Sequence, residues 1–306
     1  MLAFVVRNFC FALLPIRALA GSQGRNLWEP KMAVIAMTRE MGSRGKDVAR
    51  LVADRLDLTI VHQEMIESTA ERSEEDAPSE VNRFLDVGRE PEAHANGGMI
   101  YGGYLTPAEV LGLALRGNVL IRGWGAPRLL RGIPHILAVR VCAPMEQRVE
   151  EMRRRLGVDQ DTAQREIRRS DAGHAQTFLR FFAADWRVPT NYGLVLNTGN
   201  LSVEACADIV LNAARSVTLA ETPESRRMLE DRLLEARISE ALRRSGPLQR
   251  HAAHVESHVQ DGRVRLYGAV SSKGTAREIE ELVSQLAGAD RVESDLVFVR
   301  GYADGR

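Results

Sequence analysis

The chain has 306 residues, enough for one medium α/β domain with a small partner or for two comparable domains. Lysine plus arginine and aspartate plus glutamate each number 41, so the formal net charge is zero and a nucleic-acid polymer is not the expected partner. Hydrophobic residues make up 44%, ample for a buried core, while aromatics at 5% are too sparse for a platform that stacks single strands.

Residues 2–19 are apolar but broken by Arg7 and Arg17, too interrupted to span a bilayer. Ala18-Leu19-Ala20 resembles a secretory cleavage site, yet the basic segment that should precede it is missing. We read residues 1–31 as a flexible extension, with Met32 as an alternative start. Cys10, Cys142 and Cys206 are odd in number and far apart, so no disulfide framework or zinc spacing follows, and a reducing, cytoplasmic compartment is expected.

Ala33-Val34-Ile35-Ala36-Met37 is a short apolar run ahead of the turn Gly42-Ser43-Arg44-Gly45, which suits a fully buried parallel strand. Val48, Leu51, Val52 and Leu56 then recur at helical spacing. Further buried strands are expected at 59–61, 119–121, 136–142 and 194–197, with helices at 145–156, 162–170 and 203–217. Alternating strands and helices predict a parallel sheet with helices on both faces, over residues 32–217. Residues 73–92 are acidic, and 96–104 are glycine-rich around Tyr101 and Tyr104. Together they read as a long surface loop or an insertion over a site.

A charged helix is expected over 222–244, and residues 218–234 are read as a helical linker. A smaller α/β pattern occupies 235–300: alternating strands at 255–258 and 264–266 around the hairpin signal Asp261-Gly262, a helix at 275–286 and a strand at 295–299. Residues 301–306 read as a tail. His251, His254 and His258 lack a carboxylate or cysteine to complete a metal set and read as surface residues, so no metal ligands are assigned.

A glycine turn between strand and helix points backbone N–H groups at a helix N-terminus, where an anion is favoured. Gly45-Lys46 fits a phosphate loop, although Glu40 stands five residues before Gly45 and Asp47 replaces the hydroxyl residue of the usual pattern. A tight turn with no ligand uses the same glycines.

The wider segment Thr38-Arg39-Glu40-Met41-Gly42-Ser43-Arg44-Gly45-Lys46-Asp47-Val48-Ala49 resembles the opening of the cytidylate kinase-like family, roughly S-R-E-[YF]-G-S-G-G-x-x-[IV]-A. Val119-Leu120-Ile121-Arg122-Gly123-Trp124-Gly125-Ala126 is similar to that family's strand followed by G-R-G-A. Ala143-Pro144, Asp171, Asp185-Trp186, Asn191-Tyr192 and Asn197-Thr198 follow at similar spacing. The resemblance implies a three-layer P-loop α/β fold with a parallel sheet of about five strands. It also implies ATP and Mg²⁺ as cofactors and a nucleoside monophosphate, CMP or dCMP, as acceptor. ATP phosphates would lie on Gly42, Ser43, Arg44, Gly45 and Lys46. Arg148, Arg155 and Arg169, with Arg168 beside them, would serve phosphoryl transfer, with Asp171 orienting an arginine or capping a helix. Arg39, His62, Arg122 and His174 would face the acceptor.

Four positions depart from the family pattern, Arg44 for glycine, His62 for aspartate, and Trp124 and His174 for arginine, and Asp47 departs from the hydroxyl residue of the usual phosphate loop. They support an alternative reading, a non-catalytic nucleotide sensor. Residues 235–300 resemble a BON module, on Ile238, Leu242, Gly262, Gly268, Val292 and the strand between the two glycines. That resemblance implies a binding or regulatory unit with a protein or membrane-surface partner.

Overall fold

Runs of Val, Ile and Leu too short for helices build the central sheet of the protein, seen in a computed structural model that describes residues 33–65, 100–123, 125–246, 248, 254–288 and 291–299. The expected extension at 1–31, the Met32 start, the acidic stretch at 73–92, Trp124, His251 and the tail at 301–306 lie outside the described residues. The elements in order are β1 (Val34–Arg39), α1 (Gly45–Leu56), β2 (Thr59–Met65), β3 (Ile100–Leu105), α2 (Pro107–Arg116), β4 (Val119–Arg122), α3 (Ala126–Leu129), β5 (Ile136–Cys142), α4 (Met145–Leu156), α5 (Gln160–Phe182), β6 (Leu194–Asn197), α6 (Val203–Ala214), α7 (Pro223–Arg244), β7 (Val255–Gln260), β8 (Arg263–Val270), α8 (Lys273–Ala287) and β9 (Val292–Phe298).

The large sheet is six-stranded, in the order β3-β2-β4-β1-β5-β6, and every pairing is parallel. Five of its strands answer the expected ones. The sixth, β3, falls partly on residues 96–104, which their glycines mark as loop. Gly102 and Gly103 weaken a strand in isolation, but pairing with β2 from Ile60↔Ile100 to Met65↔Leu105 supplies the ladder. Alternation along β1 divides the core. Ile35 and Met37 pack with Val48 and Val52 of α1 and Cys206 and Val210 of α6 on one face. Val34 and Ala36 pack with Val110 and Leu111 of α2 on the other.

The helix expected at 162–170 continues to Phe182, so Asp171 and His174 lie inside α5. It packs on α4 through Val149, Met152, Ala163 and Ile167, with Met41 of the glycine turn against them. At its far end Phe178 and Trp186 form a small core of their own.

A second sheet, β7-β8-β9, pairs antiparallel and then parallel. Asp261 and Gly262 turn the hairpin with φ of 51° and 73°, the left-handed pair that an Asp-Gly turn favours. Gly268 has no alternative: a Cβ there would stand 1.9 Å from the carbonyl oxygen of His254. Helix α7 serves both units. Leu229 and Leu233 enter the core of the large sheet, while Ile238 and Leu242 enter the core under the small one. No break occurs at residue 234, where the linker was expected to end. Among the described residues no helix is long and apolar enough to cross a membrane.

Candidate functional site

Strand β1 ends at Arg39 and α1 begins at Gly45, leaving residues 40–44 to turn at the C-terminal edge of the sheet. Packing demands both glycines, and at Gly42 the backbone demands one as well. Gly42 has φ 78°, and a Cβ there would lie 2.6 Å from the Arg148 carbonyl oxygen. At Gly45 it would lie 2.6 Å from Cβ of Arg39. Arg44, also left-handed at φ 57°, precedes α1 without a side-chain cap. The first turn of a helix leaves N–H groups with no intrahelical acceptor, and an anion is the natural complement. Ser43 is buried and its hydroxyl is spent within the turn, donating to the carbonyls of Glu40 (2.7 Å) and Val141 (3.3 Å). Thr198 donates to the Ser43 carbonyl at 2.7 Å and ties the turn to the end of β6.

A buried ion-pair network holds this turn. Glu40 accepts from Arg140 Nη2 at 2.6 Å and from the Ala143 amide at 3.3 Å, and lies 3.5 Å from Arg148. The Arg148 side chain, 4% exposed, donates Nε–H to the Met41 carbonyl (2.7 Å) and grips Asp171 with both terminal nitrogens (2.9 and 2.7 Å). Such bidentate pairing is what permits a guanidinium to be buried. Arg140 also lies 5.0 Å from the ring centre of Trp186. Arg155 pairs with Asp47 and Glu151, and Arg44 Nε stands 3.6 Å from Asp47. Arg168 and Arg169 are exposed on α5.

Strand register gathers the cations. Ile35, Met37 and Arg39 share the α1 face of β1, and Met37 pairs in register with Arg122, which pairs with His62. β1 and β4 thus run apolar through the core and end on Arg39 and Arg122, and β2 sets His62 beside Arg122 before running on to Met65. His62 is 4% exposed, and its imidazole falls from 6.5 to about 2, first because burial strips water from the charged form, then through Arg122, Arg39 and Lys46. It is neutral at physiological pH. Burial, and then Arg50, lower Arg122 to about 10, against the pull of Asp47. His174 falls to about 4 by burial and then Arg39, with Asp171 opposing. It stands edge-on to Trp186 at 5.7 Å, and its Nδ1 is buried with no hydrogen-bond partner.

The structure therefore gathers Arg39, Lys46, His62 and Arg122 within electrostatic reach of one another near Gly42, Ser43, Arg44 and Gly45, with His174 packed on Trp186. It places Arg148 and Asp171 beneath the turn, engaged with each other, and Arg155 at its rim on Asp47. Glu40, Arg140 and Arg50 complete the site and were not singled out in the sequence. A charged residue in mid-strand, Arg140 in Ile136–Cys142, was the available signal, because a buried charge needs a partner. The cluster and the α1 N-terminus fit nucleotide phosphates. They offer Mg²⁺ little of their own: Ser43 is spent inside the turn, and Asp47 is held by Arg155 and Arg44.

The description of the cytidylate kinase-like family matches residues 34–200, and that of the BON domain matches residues 230–300. No curated protein matches the chain in sequence. Among solved structures, an uncharacterized protein from Eubacterium ventriosum is similar at 16% identity and TM-score 0.42, over 60% of this chain and 99% of that one. Shikimate kinase from Acinetobacter baumannii is similar at 12% identity and TM-score 0.31, over 60% and 93%. Shikimate kinase from Bacteroides thetaiotaomicron follows at 15% and 0.32, over 60% and 99%.

Proposed function

The chain belongs to the cytidylate kinase-like family, and from that premise we propose that it transfers the terminal phosphoryl group of ATP to a nucleoside monophosphate, CMP or dCMP, in the cytoplasm. One observation carries the reading: strand register sets Arg122 beside the buried His62, and β1 ends on Arg39 just before the uncapped N-terminus of α1, where Lys46 lies.

Phosphoryl transfer asks a protein chiefly to position reactants and neutralise spread negative charge. The α1 N-terminus and Lys46 hold the donor phosphates. Arg39 and Arg122 take the acceptor phosphate, whose oxygen attacks the terminal phosphorus as its bond to the bridging oxygen breaks, leaving ADP. His62, neutral and hydrogen-bonding, orients the acceptor without adding charge. A Mg²⁺ ion carried by the nucleotide would add charge neutralisation, with no side chain of this site assigned to hold it. The BON-like unit acts as a binding module for a protein or membrane-surface partner.

The test is ADP release with CMP, dCMP, UMP and AMP in turn. Turnover is expected with a cytidine acceptor, and silence with all four at high enzyme concentration would overturn the reading. A second reading, a nucleotide sensor without turnover, is favoured by the engagement of Arg148 with Asp171 and of Arg155 with Asp47. Calorimetry separates the two: ATP binding without turnover supports the sensor, and absence of ATP binding removes both.

A further inference from the structure

On the α2 face of the large sheet, away from the face that carries α1, a cleft of about 690 Å³ opens between α2, α7 and residues of β2 and β4. That volume lies within the range of small-molecule sites. Its floor is apolar, formed by Val61, Leu105, Ala108, Leu113 and Val119. Gly112 widens it, since a Cβ added there would meet no atom within 4 Å.

The charges at the rim are unevenly committed. Glu109 accepts from the Thr106 amide at 2.8 Å and closes a capping box. Glu240, from α7, accepts from the Ala108 amide at 3.0 Å and lies 3.9 Å from Arg244. Both carboxylates are thus turned to the first turn of α2. Arg116 and Arg237 also line the cleft, are exposed, and pair with no carboxylate among the described residues. An apolar floor beside two uncommitted guanidinium groups selects for a ligand that is greasy at one end and negative at the other.

We propose that this cleft binds a small amphipathic anion, its apolar body on the floor and its carboxylate or phosphate head between Arg116 and Arg237. The site is separate from the phosphate cluster, because Val61 turns to the cleft on the α2 face while the next residue, His62, turns with Arg122 to the opposite face of the sheet. It is built by a helix of the kinase-like body and by the helix that enters both cores.

Decanoate titrated into the full chain by calorimetry tests this, with 1-decanol as the uncharged control. Decanoate is expected to saturate one site and to bind roughly tenfold more tightly than the alcohol. The R116M/R237M double variant is expected to weaken decanoate roughly tenfold and leave the alcohol unchanged. Gly112→Leu fills the cleft and is expected to abolish both, while circular dichroism and the urea midpoint show the fold retained. No saturable heat with decanoate, equal binding of acid and alcohol, or undiminished binding to a folded Gly112→Leu variant would each overturn the proposal.

Discussion

Replacing Asp171 with asparagine removes the charge that two nitrogens of Arg148 grip at 2.9 and 2.7 Å. The guanidinium cannot turn to water, because its side chain is 4% exposed and its Nε–H is fixed on the Met41 carbonyl. Glu40, 3.5 Å away and already bonded to Arg140, would then face two cations alone. Breaking a buried pair by removing one partner costs about 3–5 kcal/mol, and the 29% exposure of the Asp171 side chain lowers that to about 2–3 kcal/mol. Urea unfolding of the full chain reads the loss as a lower midpoint at unchanged slope. A double-mutant cycle with Arg148→Met and Asp171→Leu is expected to give a coupling of about 2 kcal/mol, the double variant faring better than the sum of the singles. A loss under about 0.5 kcal/mol for Asp171→Asn, or additive singles, would show that the pair does not hold the turn.

Stability is expected to fall as pH drops from 7 to 5. His62 stays neutral in the fold down to about 2, whereas the unfolded chain takes up a proton near 6.5, so acid favours unfolding by about 2 kcal/mol at pH 5 from this residue. His174, at about 4, acts in the same direction. Urea midpoints at pH 7.5, 6 and 5 measure the slope, His62→Asn is expected to flatten it, and a midpoint that rises in acid contradicts the assignment. Gly42→Ala forces a Cβ to 2.6 Å from the Arg148 carbonyl at φ 78°, for a loss of about 2–4 kcal/mol by the same assay. Asp231 accepts from the Asp261 and Gly262 amides at 2.8 Å each, so Asp231→Ala is expected to speed hydrogen exchange at the hairpin and leave β1 unchanged, costing about 1–2 kcal/mol.

Periodicity made most of the sheet legible. The β5 and β6 bounds read from the sequence coincide with the structure: β5 is an apolar run buried over most of its length, and β6, though an edge strand with Val195 exposed, is bounded by the turn residues on either side. β3 was hidden because its two glycines carry loop signals that only its partner strand overrides. At the site, the glycines and Lys46 could be read from the chain. The pairing of Arg148 with Asp171 could not, since it depends on how α4 and α5 lie across the turn, and that is a tertiary fact. Nor could the neutrality of His62, which follows from burial among cations drawn from three elements.

Helix α7 has a consequence for how such a chain can be assembled or cut. Leu229 and Leu233 face the large sheet and Ile238 and Leu242 the small one, while Arg232 holds the Leu129 and Arg131 carbonyls and Asp231 the hairpin. The seam between the units is therefore a side of a helix and has no single position along the chain. A cut before residue 223 takes Leu229 and Leu233 out of the large core, and a cut after residue 244 takes Ile238 and Leu242 out of the small one. The two units are therefore expected to melt as one, in a single calorimetric transition of the full chain.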